Sequence, residues 1–169
     1  YSIPIVLPRG SGGLTPSIAL VYNSQSGSGA AGYGWTLSGL SAITRCNKTI
    51  HDDGATEGVS FTASDDYCLD GQRLVLKADG TYDTEIESFS RITATSGTNG
   101  PASFEVQTKD GETFEYGNTT DSKILATGTS TVRVWALDKV SDANGNYYTF
   151  TYQNNDTTTG DFWPTKIDY

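Results

Sequence analysis

Six Asp-Gly or Asn-Gly pairs divide the chain into short segments, and they constrain the fold more than any other feature of the sequence. Asn, Asp and Gly tolerate the positive φ angles that type I′ turns require, so each pair is a hairpin signal. The pairs are Asp53-Gly54, Asp70-Gly71, Asp79-Gly80, Asn99-Gly100, Asp110-Gly111 and Asn144-Gly145. Between them lie alternating apolar and polar residues, which is typical of half-buried strands. The sequence therefore predicts an all-β fold of antiparallel sheets with many short hairpins.

Three hairpins are expected around these turns. They join 104–108 to 112–116, 132–140 to 147–152, and 72–77 to 81–85, and a further strand spans 90–95. In the second hairpin Trp135 alternates against Val134 and Ala136, so both faces of this strand are expected to be partly covered. A sandwich-like or multi-layer arrangement would cover both faces. Little or no helix is expected, because no window shows a sustained 3.6-residue apolar period.

The stretch 12–45 reads as a strand, a glycine-rich loop and a second apolar pattern. Alternating apolar residues predict a strand over 14–22, and the glycines of 24–34 predict a loop. Gly34 would bend the chain between Tyr33 and Trp35, whose rings would pin the loop by becoming buried. Gly34, Trp35 and Trp135 are therefore expected to be structural anchors. The loop is interpreted as a packed turn, with a ligand-gripping loop as the alternative.

The two ends of the chain read as strands at sheet edges. Residues 2–7 alternate, but Pro4 and Pro8 restrict them to an edge strand. The sequence begins at Tyr1 without an initiator Met or a signal-peptide pattern, and 166–169 alternate like an unfinished strand. We expect 1–169 to be a single β domain that is a fragment of a longer chain.

Composition excludes some classes of partner. The chain has 169 residues with 11 Lys+Arg and 20 Asp+Glu, a formal net charge of −9. The basic residues are scattered singly, which argues against a nucleic-acid surface because phosphate binding depends on clustered Lys and Arg. No apolar stretch approaches the length of a membrane span. A chain of this length can bury about 70% of its unfolded surface without a metal or a disulfide.

The two cysteines, Cys46 and Cys68, follow one predicted strand and lie within another. They are a disulfide candidate if the compartment is oxidising, and the pair would then stabilise the fold by about 3 kcal/mol. Two buried free thiols are the alternative. A cysteine-based metal site is not expected, because two Cys and the lone His51 cannot complete a tetrahedral shell without carboxylates.

No group of residues stands out as a catalytic or metal site. His51 lies in a predicted turn, and no marked nucleophile accompanies it and Asp52. Five carboxylates could bind calcium together if the two cysteine strands are neighbours. We expect them instead to be turn residues that form hydrogen bonds. These are Asp52, Asp53, Asp65, Asp66 and Asp70. We expect no catalytic residue, no cofactor and no metal.

Many separated motifs resemble one known family. They are Tyr1-Ser2-Ile3-Pro4-Ile5, Gly13-Leu14-Thr15-Pro16, Leu20-Val21-Tyr22-Asn23-Ser24, Gly32-Tyr33-Gly34-Trp35, Leu37-Ser38-Gly39-Leu40-Ser41-Ala42-Ile43-Thr44-Arg45-Cys46, Cys68-Leu69-Asp70-Gly71-Gln72-Arg73-Leu74, Tyr116-Gly117, Trp135-Ala136-Leu137 and Asp142-Ala143-Asn144-Gly145-Asn146. Together they resemble the N-terminal domain of the SpvB and insecticidal-toxin-complex B-component family, which is associated with Rhs repeats. The resemblance spans nearly the whole chain.

The resemblance implies a secreted bacterial toxin or virulence module of β structure. In insecticidal toxin complexes the B component and the Rhs part of the C component form a hollow shell around a cytotoxic segment. In SpvB proteins the domain precedes a separate actin-modifying ADP-ribosyltransferase, which this chain does not contain. The resemblance therefore implies a non-enzymatic module that encloses or delivers a toxic polypeptide. Its partners would be the rest of its own polypeptide and other toxin-complex subunits.

The alternative is a module that binds carbohydrate or a host surface. Trp35, Trp163 or exposed tyrosines would then form a stacking platform for a glycan. A shell wall should show no saturable sugar binding, so a glycan array separates the two hypotheses.

Overall fold

A computed structural model describes residues 1–29, 31–154 and 159–169. Within these ranges the chain is built of short strands, with one single-turn helix α1 (Ile50–Asp53) and a 3-10 turn at Ser11–Gly13. The strands are β1 (Ser2–Pro4), β2 (Ala19–Tyr22), β3 (Ser28–Gly29), β4 (Gly32–Tyr33), β5 (Trp35–Ser38), β6 (Ala42–Cys46), β7 (Asp66–Leu69), β8 (Gln72–Leu76), β9 (Tyr82–Thr84), β10 (Arg91–Thr95), β11 (Ser103–Gln107), β12 (Thr113–Tyr116), β13 (Lys123–Leu125), β14 (Val132–Ser141), β15 (Tyr147–Asn154) and β16 (Phe162–Asp168). The prediction of an all-β antiparallel fold is confirmed.

Eight of the strands close into an antiparallel barrel. Strands β6 to β12 pair consecutively, and β14 pairs with both β12 and β6, which closes the ring. The predicted sandwich-like arrangement is therefore replaced by a barrel with added sheets. The reason is β14, which the sequence showed only as one arm of a hairpin and which in fact joins strands from distant parts of the chain.

Strand β14 is ten residues long and both of its faces are buried, as its alternation predicted. Trp135 and Leu137 face the barrel lumen, whereas the buried Val134 alternates with them and faces away from it. Strand β13 pairs with the first half of β14 along one edge. The register of β14 against β12 shifts beside Tyr116, and Asp138 lies in that irregular segment. Asp138 follows the lumen-facing Leu137, so alternation points it away from the lumen, toward the loop of Asn118, Thr119 and Ser122 that donates to it.

The outer layer consists of β13, β15 and β16. Strand β15 continues the sheet from the end of β14, and β16 pairs with β15 along its length. Phe150 and Tyr152 of β15 are buried in the same apolar cluster as the residues of the lumen. The barrel and the outer layer therefore share one hydrophobic core.

The predicted hairpins are present, but most of their turns differ from the type I′ expectation. Every glycine of the six Asp-Gly and Asn-Gly pairs has a positive φ. Only at Asp70-Gly71 do both residues have one, at 49° and 86°, which is the type I′ requirement. Gly54 instead ends helix α1, at the place where the sequence predicted a plain turn. Gly supplies the positive φ in the other turns while Asp or Asn remains in an ordinary region.

A separate three-stranded sheet, in the order β1, β2, β5, precedes the barrel. The predicted strand over 14–22 is shortened to β2, because Pro16 and its neighbours do not pair with other strands. At the edge of this sheet Tyr1 hydrogen-bonds to Tyr22 of β2, and the Ile5 N–H donates to the carbonyl of Ile18 just before β2. In an edge strand the backbone groups of successive residues point alternately toward the sheet and away from it, so those of Pro4 point away. The missing N–H of proline therefore leaves no hydrogen bond of the sheet unformed.

Candidate functional site

One end of the barrel lumen is closed around a buried arginine. Arg45 of β6 donates from Nε to the carbonyl of Val132 at 2.7 Å, and from Nη1 to the carbonyl of Thr62 at 2.6 Å and to Asp65 Oδ2 at 2.9 Å. Its Nη2 donates to the carbonyl of Asn99. Arg45 is 8% exposed, so the loops that carry these carbonyls close over it. We call this region the closed end.

The carboxylate that pairs with Arg45 is held ionised. Burial raises the pKa of Asp65, but hydrogen bonds from Ser60 and then from Arg45 outweigh burial, and the pKa lies below its usual value. The ion pair is nearly inaccessible to solvent, with side-chain exposures of 2% and 5%. Because a buried carboxylate without its cation is costly, Asp65 and Arg45 depend on each other.

Aromatic rings fill the lumen beside Arg45. Trp135 is fully buried, and its ring meets those of Tyr67 and Phe104 edge to face at 5.5 and 5.2 Å. Trp135 Nε1 donates to the carbonyl of Pro101 at 3.2 Å, which ties the loop over the closed end to β14. Gly117 lies against the Trp135 ring, where a Cβ would collide with it. Side chains therefore fill the lumen at this end.

The other end of the lumen is open. Side chains that point inward from β7, β11 and β12 form an apolar floor of Leu69, Val106 and Phe114. Hydroxyl groups of the neighbouring strands and loops surround a cavity of about 370 Å³ above it. We call this region the mouth.

The two cysteines are joined by a disulfide, with a Cα–Cα distance of 5.9 Å. They lie on neighbouring strands β6 and β7, near the start of helix α1. The side chain of Thr49 caps that helix by accepting from the Asp52 N–H. The free-thiol alternative does not hold in this structure.

His51 lies in helix α1 with its side chain 91% exposed. Its Nδ1 hydrogen-bonds Asp52, which raises the pKa of His51. His51, Asp52 and Glu85 could each present one ligand atom, all within 4.8 Å of one another. However, Arg73 Nη1 lies 3.7 Å from Asp52, so a fixed positive charge already occupies the neighbourhood. All three residues are exposed, and the group is not a built metal site.

The structure brings three of the five carboxylates together, but around an arginine. Asp52, Asp53 and Asp66 all form ion pairs with Arg73, whereas Asp65 faces Arg45 inside the barrel. Asp70 accepts from the Ser41 hydroxyl at 2.6 Å and from the Ala42 N–H at 2.9 Å. Four of the carboxylates therefore serve as partners of buried or half-buried arginines.

Gly34 and Trp35 lie in the N-terminal sheet, away from the barrel lumen. Gly34 has a φ of 75°, and a Cβ there would lie 2.6 Å from the Tyr22 ring. Trp35 is half-buried between Tyr22, at 5.3 Å between centroids, and Tyr1, at 6.5 Å. The expectation that Tyr33 would help to pin the loop is wrong, because Tyr33 is 72% exposed and Tyr22 packs against the glycine instead.

Two buried charged residues, Arg45 and Asp138, were not identified from the sequence. Arg45 occupies an inward position in the alternation that begins at Ile43, and this pattern could have identified it as a buried charge. Asp138 is 2% exposed, and its Oδ2 accepts from Asn118, Thr119 and Ser122. Its Oδ1 is buried without a hydrogen-bond partner among the described residues. No local signal marked Asp138, because its burial depends on the loop of Asn118, Thr119 and Ser122, which comes from an earlier part of the chain.

Within the ranges that the structure describes, no helix is long and apolar enough to cross a membrane. Comparison with curated proteins gives no match. A family model does match, the one described as SpvB, Salmonella virulence plasmid 65kDa B protein. It matches residues 1–87 and 80–165, which together span nearly the whole chain.

Three solved structures illustrate the similarity of fold. The N-terminal domain of effector protein SpvB from Salmonella typhimurium strain LT2 has a TM-score of 0.76 at 20% identity, over 99% of this chain and 63% of that one. The TcdB2-TccC3 crystal structure has a TM-score of 0.73 at 20% identity over 98% of this chain. The Tc holotoxin pore of Photorhabdus luminescens has a TM-score of 0.72 at 18% identity over 98%. The chain spans 9% of the length of the matched chain in each of the latter two.

Proposed function

The chain belongs to the SpvB family, and on that premise we propose that it is a non-enzymatic structural module of a bacterial toxin that helps to enclose or position a toxic polypeptide. The observation that carries the proposal is the agreement of family and fold over almost every residue. The fold of this chain is also found in the TcdB2-TccC3 structure and in a Tc holotoxin pore.

The same comparison supports a module of a longer polypeptide. The matched toxin chains are many times longer than this one, which spans 9% of them. We propose that 1–169 is one β domain, whose partners are the remainder of its own polypeptide and other toxin-complex subunits.

The surface of the N-terminal sheet supports such a contact. Tyr1 and Val6 are 83% and 91% exposed, and Ile3 and Ile5 are exposed beside them. We call these four residues the apolar strip. Clustered exposed apolar side chains mark interaction surfaces, because water leaves them when a partner covers them.

The edge strand of this sheet is poorly suited to pairing with a strand of the partner. Pro4 has no N–H to donate outward, so a strand added beside β1 would form an interrupted ladder. We therefore propose that the apolar strip packs against its partner through side chains.

The surroundings of the histidine and of the carboxylates support a non-enzymatic role. His51 bonds to Asp52, and no hydroxyl donates to the imidazole among the described residues. Arg45 and Arg73 hold Asp65, Asp53 and Asp66 in ion pairs. A nucleophile, a base and an orienting group are therefore not assembled in the described part of the chain.

We further propose that the protein is secreted. The Cys46–Cys68 disulfide supports this location, because disulfides form and persist in oxidising compartments.

Protease protection tests the structural role. The full-length protein containing this domain, assembled with its toxin partners, is compared with a version that lacks 1–169. The enclosed polypeptide should resist limited proteolysis only in the intact assembly, while its own enzymatic activity after release is unchanged. Protection that survives the deletion would overturn the proposal.

A matched pair of variants tests the apolar strip. Val6→Asp should reduce protection, because a carboxylate would then face an apolar partner. Val75→Asp places the same charge at a 48% exposed valine of the barrel and should have no effect. Equal protection in both variants would show that the strip is not the contact.

A further inference from the structure

The mouth of the barrel has the chemistry of a binding site that the proposed function does not use. It is a cavity of about 370 Å³, within the range typical of small-molecule sites, and barrel mouths often hold such sites. The opposite end of the lumen is filled by Arg45 and aromatic rings, so any ligand would enter from the mouth alone.

Hydroxyl groups dominate the polar lining of the mouth. Ser41 and Tyr116 share a hydrogen bond of 2.9 Å, and Thr84 donates to Ser88 at 2.8 Å. In the described part of the chain, the hydroxyl of Ser90 has no hydrogen-bond partner. A hydroxyl can donate and accept, so this lining matches a ligand whose groups also do both.

Gln72 adds a side-chain amide to the mouth, and the described residues provide no partner for it. An amide presents two donors and one acceptor oxygen in a fixed plane. Unused donors and acceptors at a concave surface are the groups that orient a bound ligand.

The charge of the mouth disfavours anions. No Lys or Arg is among the residues that line it, and Asp70 is its one carboxylate. Both oxygens of Asp70 already accept hydrogen bonds, from Ser41 and from the Ala42 N–H. A phosphate or carboxylate would therefore meet a negative charge and no compensating cation.

Apolar groups face the same cavity. Phe114 is half-buried in its floor beside Leu69 and Val106, and its ring can pack against the C–H face of a sugar. Phe114 is therefore the aromatic ring that this cavity offers to a ligand.

From these observations we propose that the mouth binds one neutral sugar residue of a glycan. Gln72 and Ser90 would hydrogen-bond the sugar hydroxyls, and Phe114 would pack against the ring face. This site differs from a platform built on Trp35 or Trp163, because neither tryptophan lines the mouth.

Titration followed by NMR tests the proposal. The protein is titrated with glucose, galactose and N-acetylglucosamine as neutral probes, and with N-acetylneuraminic acid as the anionic one. At least one neutral sugar should bind saturably with a Kd of about 1 mM or tighter, and more tightly than the anionic sugar. Shifts should appear at the residues of the mouth.

Two variants locate the site. Gln72→Ala and Ser90→Ala should each weaken binding by about tenfold, because each removes a hydrogen bond to the ligand. Ser130→Ala changes a residue beside the closed end and should bind like the parent protein. Melting curves verify that the variants are folded.

The proposal is overturned if none of the neutral sugars binds, if the anionic sugar binds more tightly, or if the mouth variants bind like the parent. None of these results bears on protease protection, so the proposed structural role is tested separately.

Discussion

The guanidinium carbon of Arg45 lies 5.4 Å from the ring centroid of Trp135 at the closed end of the barrel. The same guanidinium lies 5.7 Å from the ring of Tyr67, so the charge is held between two aromatic rings. Its donors are taken by three backbone carbonyls and Asp65. One side chain therefore joins strands β6, β7 and β14 to the loops that cover this end.

Replacing Arg45 should destabilise the protein strongly. Arg45→Met leaves Asp65 buried without its cation, and removal of one partner of a buried pair costs about 3–5 kcal/mol. Urea unfolding followed by fluorescence measures the change in the free energy of unfolding. Arg91→Met, at an exposed arginine, is the control and should change it by less than about 0.5 kcal/mol. A loss below about 1 kcal/mol for Arg45→Met would mean that Asp65 finds another partner.

Gly34→Ala should lower the free energy of unfolding by about 1 kcal/mol or more, because the residue has a left-handed backbone. The new Cβ would also lie 2.6 Å from Tyr22 and 3.1 Å from the carbonyl oxygen of Asn23. Gly27→Ala is the matched control in the same loop, since a Cβ there meets no atom within 4 Å. Equal melting temperatures for the two variants would contradict the prediction.

The Cys46–Cys68 disulfide should contribute about 3 kcal/mol to stability, as expected for a closed loop of this length. The Cys46→Ser/Cys68→Ser double variant should lose that amount in denaturant unfolding. Adding reductant should lower the stability of the parent protein and leave that of the double variant unchanged. Non-reducing peptide mapping of protein secreted by its native host checks the pairing itself, and freely alkylated thiols would disprove it.

Asp138 should make stability fall with rising pH. Burial raises the pKa of Asp138, although hydrogen bonds from Ser122, Thr119 and Asn118 oppose the rise. The folded state therefore holds the proton more tightly than the unfolded state. The stability that this group contributes is present at low pH and is lost as the pH rises from about 4 through the raised pKa.

Comparison with Asp138→Asn isolates this effect, because asparagine does not titrate. The free energy of unfolding of the parent protein minus that of Asp138→Asn should decrease as the pH rises over this interval. A constant difference would show that Asp138 titrates alike in the folded and unfolded states.

The sequence predicted local structure well wherever pairing partners are neighbours in the chain. The hairpin of β11 and β12 is marked by alternation on both sides of Asp110-Gly111, and both strands appear as expected. Alternation around Trp135 also predicted that both faces of β14 are covered. These features depend on the two-residue period of a strand and on the residue types in turns, and both are determined by residues that are close in the sequence.

Features that depend on distant partners could not be predicted. Closure of the barrel requires Val134 to pair with Thr44, and no local pattern encodes that register. The mouth likewise combines Ser41, Ser90 and Phe114 from separate segments. Burial of Asp138 follows from the loop of Asn118, Thr119 and Ser122 that covers it, and the exposure of Tyr33 follows from the position of Tyr22 against Gly34.

The position of β14 in the ring has a consequence for biosynthesis. Strands β6 to β12 leave the ribosome before β14 does. Until β14 is synthesised, the edges of β6 and β12 that pair with it are unpaired. Chains grow at about 5–20 residues per second, which leaves a nascent open sheet exposed to wrong pairing for about a second or longer. A chain that ends just before Val132 would thus keep both of these edges unpaired and be prone to association, whereas one that extends past Ser141 could close the ring.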